Sequence, residues 1–456
     1  MNPNLIESKP VANRLVFFLI CALPIFASVI FGAVSAGTLA LLTLFFGFFL
    51  VCFFVDVWKS KKFKISKNAL QLPIIGLIVI GLVQLLPLGG SVSGDLLAAE
   101  PLRTLSLDPA STKLAIVKLA IFLSFLAIAL VYVDSPKRLK TVVFTVIVFA
   151  GVMSFIGILQ RLASPNFIYG MREVDYATPF ASYVNQHHFA AFMEMTIGLT
   201  LALLLGNAVE KDKRLLLIIA VVLMGIAIVL TGSRGGFLSL LGVLGFLVLV
   251  NVVNRKKDFA DNNSKSNLKQ NLILVGGSGV LVVFLLGAVI WLGQGGTERI
   301  LNLNQPDFTT GRTHFWSVSL QIIRDNPIIG AGLEAFGVAF TKYDTWNGNL
   351  RVEQAHNDYL QTLADAGILG FLCIVAFVVL LFKKGLEVIR ESGNLFRRGV
   401  AIGALAGCFG ILVHSFFDFP LRTNANMLFF LLLVVLATKQ IEYPKMYRKP
   451  ALVKPE

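Results

Sequence analysis

Five polar segments interrupt a largely apolar chain, and each carries a residue type that can do chemistry. The first is Thr231-Gly232-Ser233-Arg234-Gly235-Gly236, with an arginine standing between two apolar runs. A charge there is expensive unless it faces a polar cavity or partner; the alternative is a side chain that snorkels to the headgroups. The flanking glycines favour close approach of another group to the backbone. The second segment, Gly311-Arg312-Thr313-His314-Phe315-Trp316, opens an amphipathic stretch in which His314 reads as a packing residue. The third, Glu353–Gln361, holds His356 and Asn357 at the mouth of an apolar run. His356 there is either a functional group or a loop histidine bound to headgroups or water. The fourth, Asn185-Gln186-His187-His188, precedes a run that carries Glu194 about two turns in. An intramembrane carboxylate is a functional candidate by default, with a hydrogen-bonded structural role as its equal. The fifth runs from His414 to Pro420 and sets His414 and Asp418 four residues apart, one helical turn. The carboxylate could then orient the imidazole, in a structural pair or a catalytic one.

Two or three arginines around a lipid-embedded cavity make a metal-free clamp for a diphosphate, because the planar guanidinium meets phosphate oxygens bidentately. A histidine nearby, whose ordinary pKa is about 6.5, can accept a proton from a hydroxyl. Together these groups make a site for transfer from a lipid diphosphate to an acceptor hydroxyl. Other chemistries lack their signatures. The chain has no Gly-x-x-x-x-Gly-Lys-Ser/Thr loop, no His-Glu-x-x-His and no Asp-x-Asp pair in an outside loop. Cys21, Cys52, Cys373 and Cys408 lie in or at the ends of apolar runs without metal-ligand spacing, and read as small apolar fillers.

These residues need a scaffold, and the composition says which kind. Of 456 residues, 56% are apolar and 14% charged, and the mean hydropathy is +0.78. A soluble domain is about 45–50% apolar and about 25% charged. A soluble enzyme, a disordered chain and a nucleic-acid-binding domain are excluded, and an all-α polytopic membrane protein is expected. A helix needs about 20 mostly apolar residues to cross the hydrocarbon core. Such runs fall near 14–33, 36–57, 69–88, 113–133, 140–160, 188–206, 214–231, 235–253, 272–292, 361–382, 399–417 and 424–437, twelve in all. The first follows a polar start without a convincing cleavage site, so it reads as a first span rather than a cleavable signal peptide.

Charge gives the expected map its sides. With the N-terminus inside, all seven inside segments are basic and hold 28 of the 40 Lys and Arg. The net charge of +14 is then mostly topology signal, and no nucleic acid is needed to explain it. Both termini are expected in the cytoplasm. The outside segments are 89–112, 161–187, 232–234, 293–360 and 418–423. The longest, 293–360 between spans nine and ten, has 68 residues and includes the amphipathic stretch Thr313–Arg324; connections of that length are often functional. Asp108-Pro109 before span four reads as an N-cap followed by proline at the first helical position. No second soluble domain and no internal repeat is visible, so residues 1–456 read as one transmembrane domain, with 293–360 carrying part of the site.

The same segments resemble the O-antigen ligase and polymerase superfamily. The resemblance rests on TGSRGG (231–236), GRTHFW (311–316), NPIIGAGLEAF (326–336) and HNDYLQTLADAGILGF (356–371). LSLDPAST (105–112), Asn185–His188 and HSFFDFPLRTNAN (414–426) look like one branch of it. It implies a twelve-span glycosyltransferase of the bacterial inner membrane, with its site on the periplasmic face, that takes a glycan from undecaprenyl diphosphate without metal or nucleotide. The acceptor is a lipid A core sugar in the ligases, the growing chain in the polymerases, and a Ser or Thr in related protein O-oligosaccharyltransferases. Carried over by position, Arg234 and Arg312 would hold the donor diphosphate. His356 would activate the acceptor or bind the diphosphate. Asn185, His188, Glu194, Asn357, His414 and Asp418 are further substrate-binding candidates. The rivals are a twelve-span transporter and a non-catalytic assembly subunit. Transporters place ionisable sites near the midplane, often in repeated halves; here Lys118 and Glu194 are the main intramembrane charges and the other polar groups lie outside.

Overall fold

The computed structural model describes residues 10–88, 104–175, 177–258, 311–346 and 351–442. Within them run α1 (Val11–Val29), α2 (Ala36–Ser60), α3 (Gln71–Gln84), α4 (Pro109–Tyr132), α5 (Pro136–Ala163), α6 (Gln186–Leu205), α7 (Lys211–Leu230) and α8 (Arg234–Asp258). These are followed by α9 (Arg312–Asp325), α10 (Phe336–Tyr343), α11 (Asp358–Glu391), α12 (Leu395–His414) and α13 (Asn424–Thr438). A two-residue antiparallel pair, Phe167–Ile168 with Arg172–Glu173, interrupts the all-α expectation in the loop before α6.

Eight helices are long and apolar enough to cross a membrane: α1, α2, α4, α5, α6, α7, α11 and α12. Three shorter apolar stretches, α3, Arg234–Val250 of α8, and α13, stand where three more spans are expected. The remaining expected span, 272–292, lies outside the described residues, as do 293–310 and 347–350 of the long loop. Expected Asp108 capping is present: its carboxylate accepts from the Ser111 amide at 3.0 Å, with Pro109 opening α4. The stretch expected at Thr313–Arg324 is helical as α9, and it shares a small core with α10 and the start of α11 through Val318, Ile322, Phe336, Phe340 and Ala364.

The centre of the bundle is α6, α12 and α13. Helix α13 is buried along its whole length, whereas α2 turns Leu44, Phe48, Val51 and Phe54 outward. A helix that is apolar all round belongs either inside or against lipid, and α13 takes the inside place. Association between apolar helices in lipid depends on close packing, which small residues permit. Helix α12 carries Gly399, Gly403 and Gly407 four residues apart. A methyl group at Gly407 would stand 2.4 Å from the Met195 carbonyl oxygen of α6, and one at Gly403 2.6 Å from Leu199 Cα. This glycine ladder sets the register of α12 on α6.

Helix ends sort into two sets. At one end Arg138 of α5 donates to the Tyr132 carbonyl oxygen at 2.9 Å, and Asp56 of α2 accepts from Tyr132 and from Asn13 of α1. Arg397 of α12 donates at the same end to the Leu436 carbonyl oxygen of α13. At the other end, the last turns of α3, α7 and α12 meet the first turns of α4, α6, α8, α11 and α13. The candidate site residues lie at or next to these ends, apart from Glu194, more than two turns into α6, and Arg312, which opens α9.

Span ten is expected to be continuous, and α11 is not. Gly367 has φ +62° and ψ −165°, so a first segment, Asp358–Ala366, is offset from the spanning part. The break admits another backbone. A methyl group on Gly367 would lie 2.3 Å from the Ile328 carbonyl, and one on Gly330 (φ +74°) 2.3 Å from the Ala366 amide. Gln84 pins the contact by donating to the carbonyl oxygen of Asp365 at 2.8 Å and accepting from the Leu333 amide at 2.9 Å. Gly330→Ala meets both a positive φ and a backbone wall. It is expected to destabilise by about 3 kcal/mol, the upper part of the usual range for point changes. Thermal unfolding of the detergent-solubilised protein measures this; a wild-type transition would refute the close approach.

Candidate functional site

His356 is placed by three neighbours. Asn357 caps α11, its side-chain oxygen accepting from the Tyr359 and Leu360 amides. Trp316 of α9 donates from its indole to the Ala355 carbonyl oxygen at 3.1 Å, and Gln361 accepts from the Ala355 amide. His356 is thereby held at φ +50°, a left-handed conformation that a non-glycine residue adopts only when its surroundings enforce it.

The His356 ring faces Asp418, Nδ1 to Oδ1, at 3.1 Å; the His356 side chain is 30% exposed and the Asp418 side chain 2%. Burial pushes the Asp418 carboxyl up, but the hydrogen bond from His356 and the fields of His187, His356 and His188 outweigh it. The carboxyl is held well below the usual range. An ionised carboxylate only accepts hydrogen bonds, so Nδ1 carries the proton and donates to Asp418. Nε2 is left as the basic nitrogen.

Phe419 stands between two histidines, its ring centroid 4.9 Å from that of His356 and 4.8 Å from that of His188. His188 in turn shares a 2.8 Å hydrogen bond with Thr423 through Nδ1, and its Nε2 has no hydrogen bond among the described residues. Asn185 caps α6, accepting from the His187 amide at 2.8 Å.

Arg312 opens α9, and Arg234 opens α8. Burial draws the Arg312 guanidinium below its usual pKa; Asp418 raises it and Arg234 lowers it again, so both stand within electrostatic reach. Arg312, Arg234 and Asp418 thus share one electrostatic neighbourhood at the first turns of α9 and α8. His314 keeps to its own loop, stacked on Trp346 with centroids 4.2 Å apart and bonded to Asp344 at 2.8 Å.

His414 does not pair with Asp418, its neighbour by helical spacing. Helix α12 ends at His414, and the chain turns so that the Asp418 amide donates to the His414 carbonyl oxygen at 3.1 Å. This frees the Asp418 carboxylate for His356. His414 Nδ1 instead lies 3.1 Å from both carboxylate oxygens of Glu194, sharing a hydrogen bond with them, and both side chains are almost fully buried. The first turn of α8 lies over this pair. A methyl group on Gly235 would come 3.2 Å from His414 Nε2, and one on Gly236 3.0 Å from Glu194 Oε1. The glycines beside Arg234 therefore allow α8 to begin directly on the buried pair.

Arg422 is a further site residue. It donates to Asp365 at 2.9 Å and stands 3.5 Å from Asp358, which also accepts from Ser415 Oγ. Lys118 pairs with Glu334 at 2.6 Å. An arginine in the six-residue outside segment 418–423 runs against the charge rule, and that was the available signal for Arg422. Gln84 and Asp365 gave none, because a single polar residue in an apolar run does not announce its partner.

Fold and site define a polytopic helical membrane protein with a basic, histidine-bearing site at the end opposite its basic loops. Residues 219–375 match the family described as O-antigen ligase, a stretch that contains Arg234, Arg312 and His356. The exopolysaccharide production protein ExoQ of Rhizobium meliloti (strain 1021) is 26% identical over 158 residues, 32% of this chain and 35% of that protein. An uncharacterized protein of Haemophilus influenzae (strain ATCC 51907 / DSM 11121 / KW20 / Rd) is 21% identical over 332 residues, 68% of this chain and 75% of that protein. The chain thus matches about a third of the rhizobial protein's length. It resembles the O-antigen ligase and polymerase superfamily.

Proposed function

We propose that this chain is a membrane glycosyltransferase of the O-antigen ligase type. It moves a glycan from undecaprenyl diphosphate to an acceptor hydroxyl, a lipid A core sugar, at the periplasmic face of the bacterial inner membrane. In this reading it has twelve spans with both termini in the cytoplasm. The observation that carries the proposal is the partly exposed His356, its Nδ1 bonded to the buried Asp418 and its site bordered by Arg312.

The chemistry follows from those groups. His356 Nε2 takes the proton of the acceptor hydroxyl as its oxygen attacks C1 of the glycan. The C1–O bond to the diphosphate breaks, and the electron pair stays on the diphosphate oxygen. Arg234 and Arg312 hold the departing charge without reorganising. A single displacement inverts C1. A repeat-unit polymerase would use the same donor, clamp and base; the exopolysaccharide production named for the rhizobial relative favours that second reading.

The surface polysaccharide ladder of a deletion strain tests both. Loss of every rung above the lipid core, with long polymer left on undecaprenyl diphosphate, identifies a ligase. A single repeat unit on the acceptor identifies a polymerase, and an unchanged ladder together with unchanged secreted exopolysaccharide refutes both. Restoring the strain with Arg312→Ala or Arg234→Ala is expected to leave the ladder defective, while Arg→Lys at either position restores part of it, because an ammonium keeps the charge without the bidentate fork. Full restoration by both alanine variants, at wild-type protein levels, would remove the clamp.

A further inference from the structure

Next to the His356 segment, at the first turns of α11, lies a second polar site. A cavity of about 200 Å³ is bounded by α3, α4, α11, α13 and the turn that carries Glu334. One water needs about 30 Å³, so the space is several times larger than a single solvent molecule requires. Its apolar wall includes Leu77, Leu119, Phe122, Ile374, Leu421 and Met427. Its polar side holds Lys118 paired with Glu334, and Arg422 between Asp358 and Asp365. Glu334 is held at φ +57°, a strained conformation of the kind that gathers at functional positions.

The cavity's charges exclude two ligand classes. Three carboxylates face two cations, and both cations already have carboxylate partners, so an anion is disfavoured. Two polar atoms remain without hydrogen bonds among the described residues: Asp365 Oδ1, on a residue 2% exposed, and Arg422 Nε, whose ion-pair contact with Asp358 Oδ1 is long at 3.5 Å. One is an acceptor and the other a donor. An ammonium ion cannot accept and a phosphate dianion cannot donate, whereas a hydroxyl does both at once. An apolar wall opposite such a pair suits the C–H face of a sugar ring.

We propose that this cavity is the acceptor subsite. A sugar ring of the acceptor lies against Leu119 and Phe122, and one hydroxyl donates to Asp365 Oδ1 while accepting from Arg422 Nε. The subsite adjoins the reacting centre: Asp358, which lines the cavity, is two residues from His356, and two residues span at most about 7 Å. This assignment rests on the glycosyltransferase reading above.

The test uses the full-length protein in nanodiscs. The probes are the undecaprenyl-diphosphate-linked glycan and the envelope glycolipid, both extracted from the deletion strain. Asp365→Asn replaces the carboxylate with an amide of the same shape, and Leu119→Trp fills the cavity from its apolar wall. Both are expected to raise the acceptor KM about 10- to 100-fold, the range for losing a charge-assisted hydrogen bond, with the donor KM within twofold of wild type. A general structural defect would instead lower kcat without separating the two KM values. If Asp365→Asn fails to fold, Leu119→Trp alone decides. Wild-type transfer with the acceptor KM unmoved in the folded variants, as a bound water would give, overturns the subsite and leaves the glycosyltransferase reading standing. An equal rise in donor KM also overturns it. No transfer by the wild-type protein overturns the glycosyltransferase reading and the subsite together.

Discussion

His356→Ala is expected to lower kcat for glycan transfer by about 10²–10⁴-fold, the usual contribution of a positioned general base, with donor KM little changed. The size follows from the division of labour in the site. A diphosphate is already a good leaving group, so the arginines act on its charge, and the imidazole acts on the weaker partner, a neutral hydroxyl. Asp418→Asn tests the same point from behind the ring. Asparagine keeps the shape but removes the charge that fixes the Nδ1–H tautomer, and the drop in kcat is expected to approach that of His356→Ala. Asp418 itself sets no acid limb near neutrality. Its folded pKa lies well below the unfolded value of about 3.9, so its contribution to stability is complete above that value and is lost only as pH falls through the folded one. Rates at saturating acceptor, with donor varied, are the measurement. A rise in donor KM with kcat preserved would assign His356 to the diphosphate instead.

The second large effect concerns stability. Glu194→Ala is expected to destabilise the bundle by about 1–3 kcal/mol if His414 is left as a neutral unsatisfied group, and by about 3–5 kcal/mol if an ion pair is broken. The pair is almost fully buried between α6 and α12 and covered by the first turn of α8, so water cannot replace the lost partner. Glu194→Leu combined with His414→Leu is expected to recover part of the loss, because an apolar replacement of both partners leaves nothing unpaired. Thermal unfolding of the single and double variants in detergent makes the comparison. Equal losses for single and double variants would show that the two side chains do not support one another. The pair also places Arg234, one residue before the glycine over His414. Glu194→Ala is therefore expected to weaken transfer as well as folding.

Much of the scaffold was readable from composition. Runs of about 20 apolar residues must be helices in lipid, because no other open structure satisfies the backbone there. Eleven of the twelve expected runs coincide with helices among the described residues. What failed was detail inside a run. Nothing in ADAGILGF requires α11 to break at Gly367, since a glycine within a helix is merely tolerated; the break exists because the Gly330 turn packs into it. The β pair at Phe167–Glu173 was equally silent, two residues per strand being too short for any period to register.

For the site, residue type alone pointed to Arg234 and His356, because a charge or an imidazole beside an apolar run is costly and that cost is visible without coordinates; Arg312 came from the family resemblance. Partner choice was not visible. Helical spacing offered Asp418 to His414, yet Asp418 bonds His356, 62 residues away, and His414 bonds Glu194, 220 residues away. Those pairings depend on where α12 stops and on how far it slides along α6, which the close approach of Gly403 and Gly407 decides. The sequence by itself determined the class of protein, its helices, its charged ends and the residue types available for chemistry, because hydrophobicity and charge act locally. Only the tertiary structure decided which carboxylate serves which histidine, and that Lys118, Asp365 and Arg422 share a cavity, because those contacts follow from side-chain packing between helices far apart in the chain.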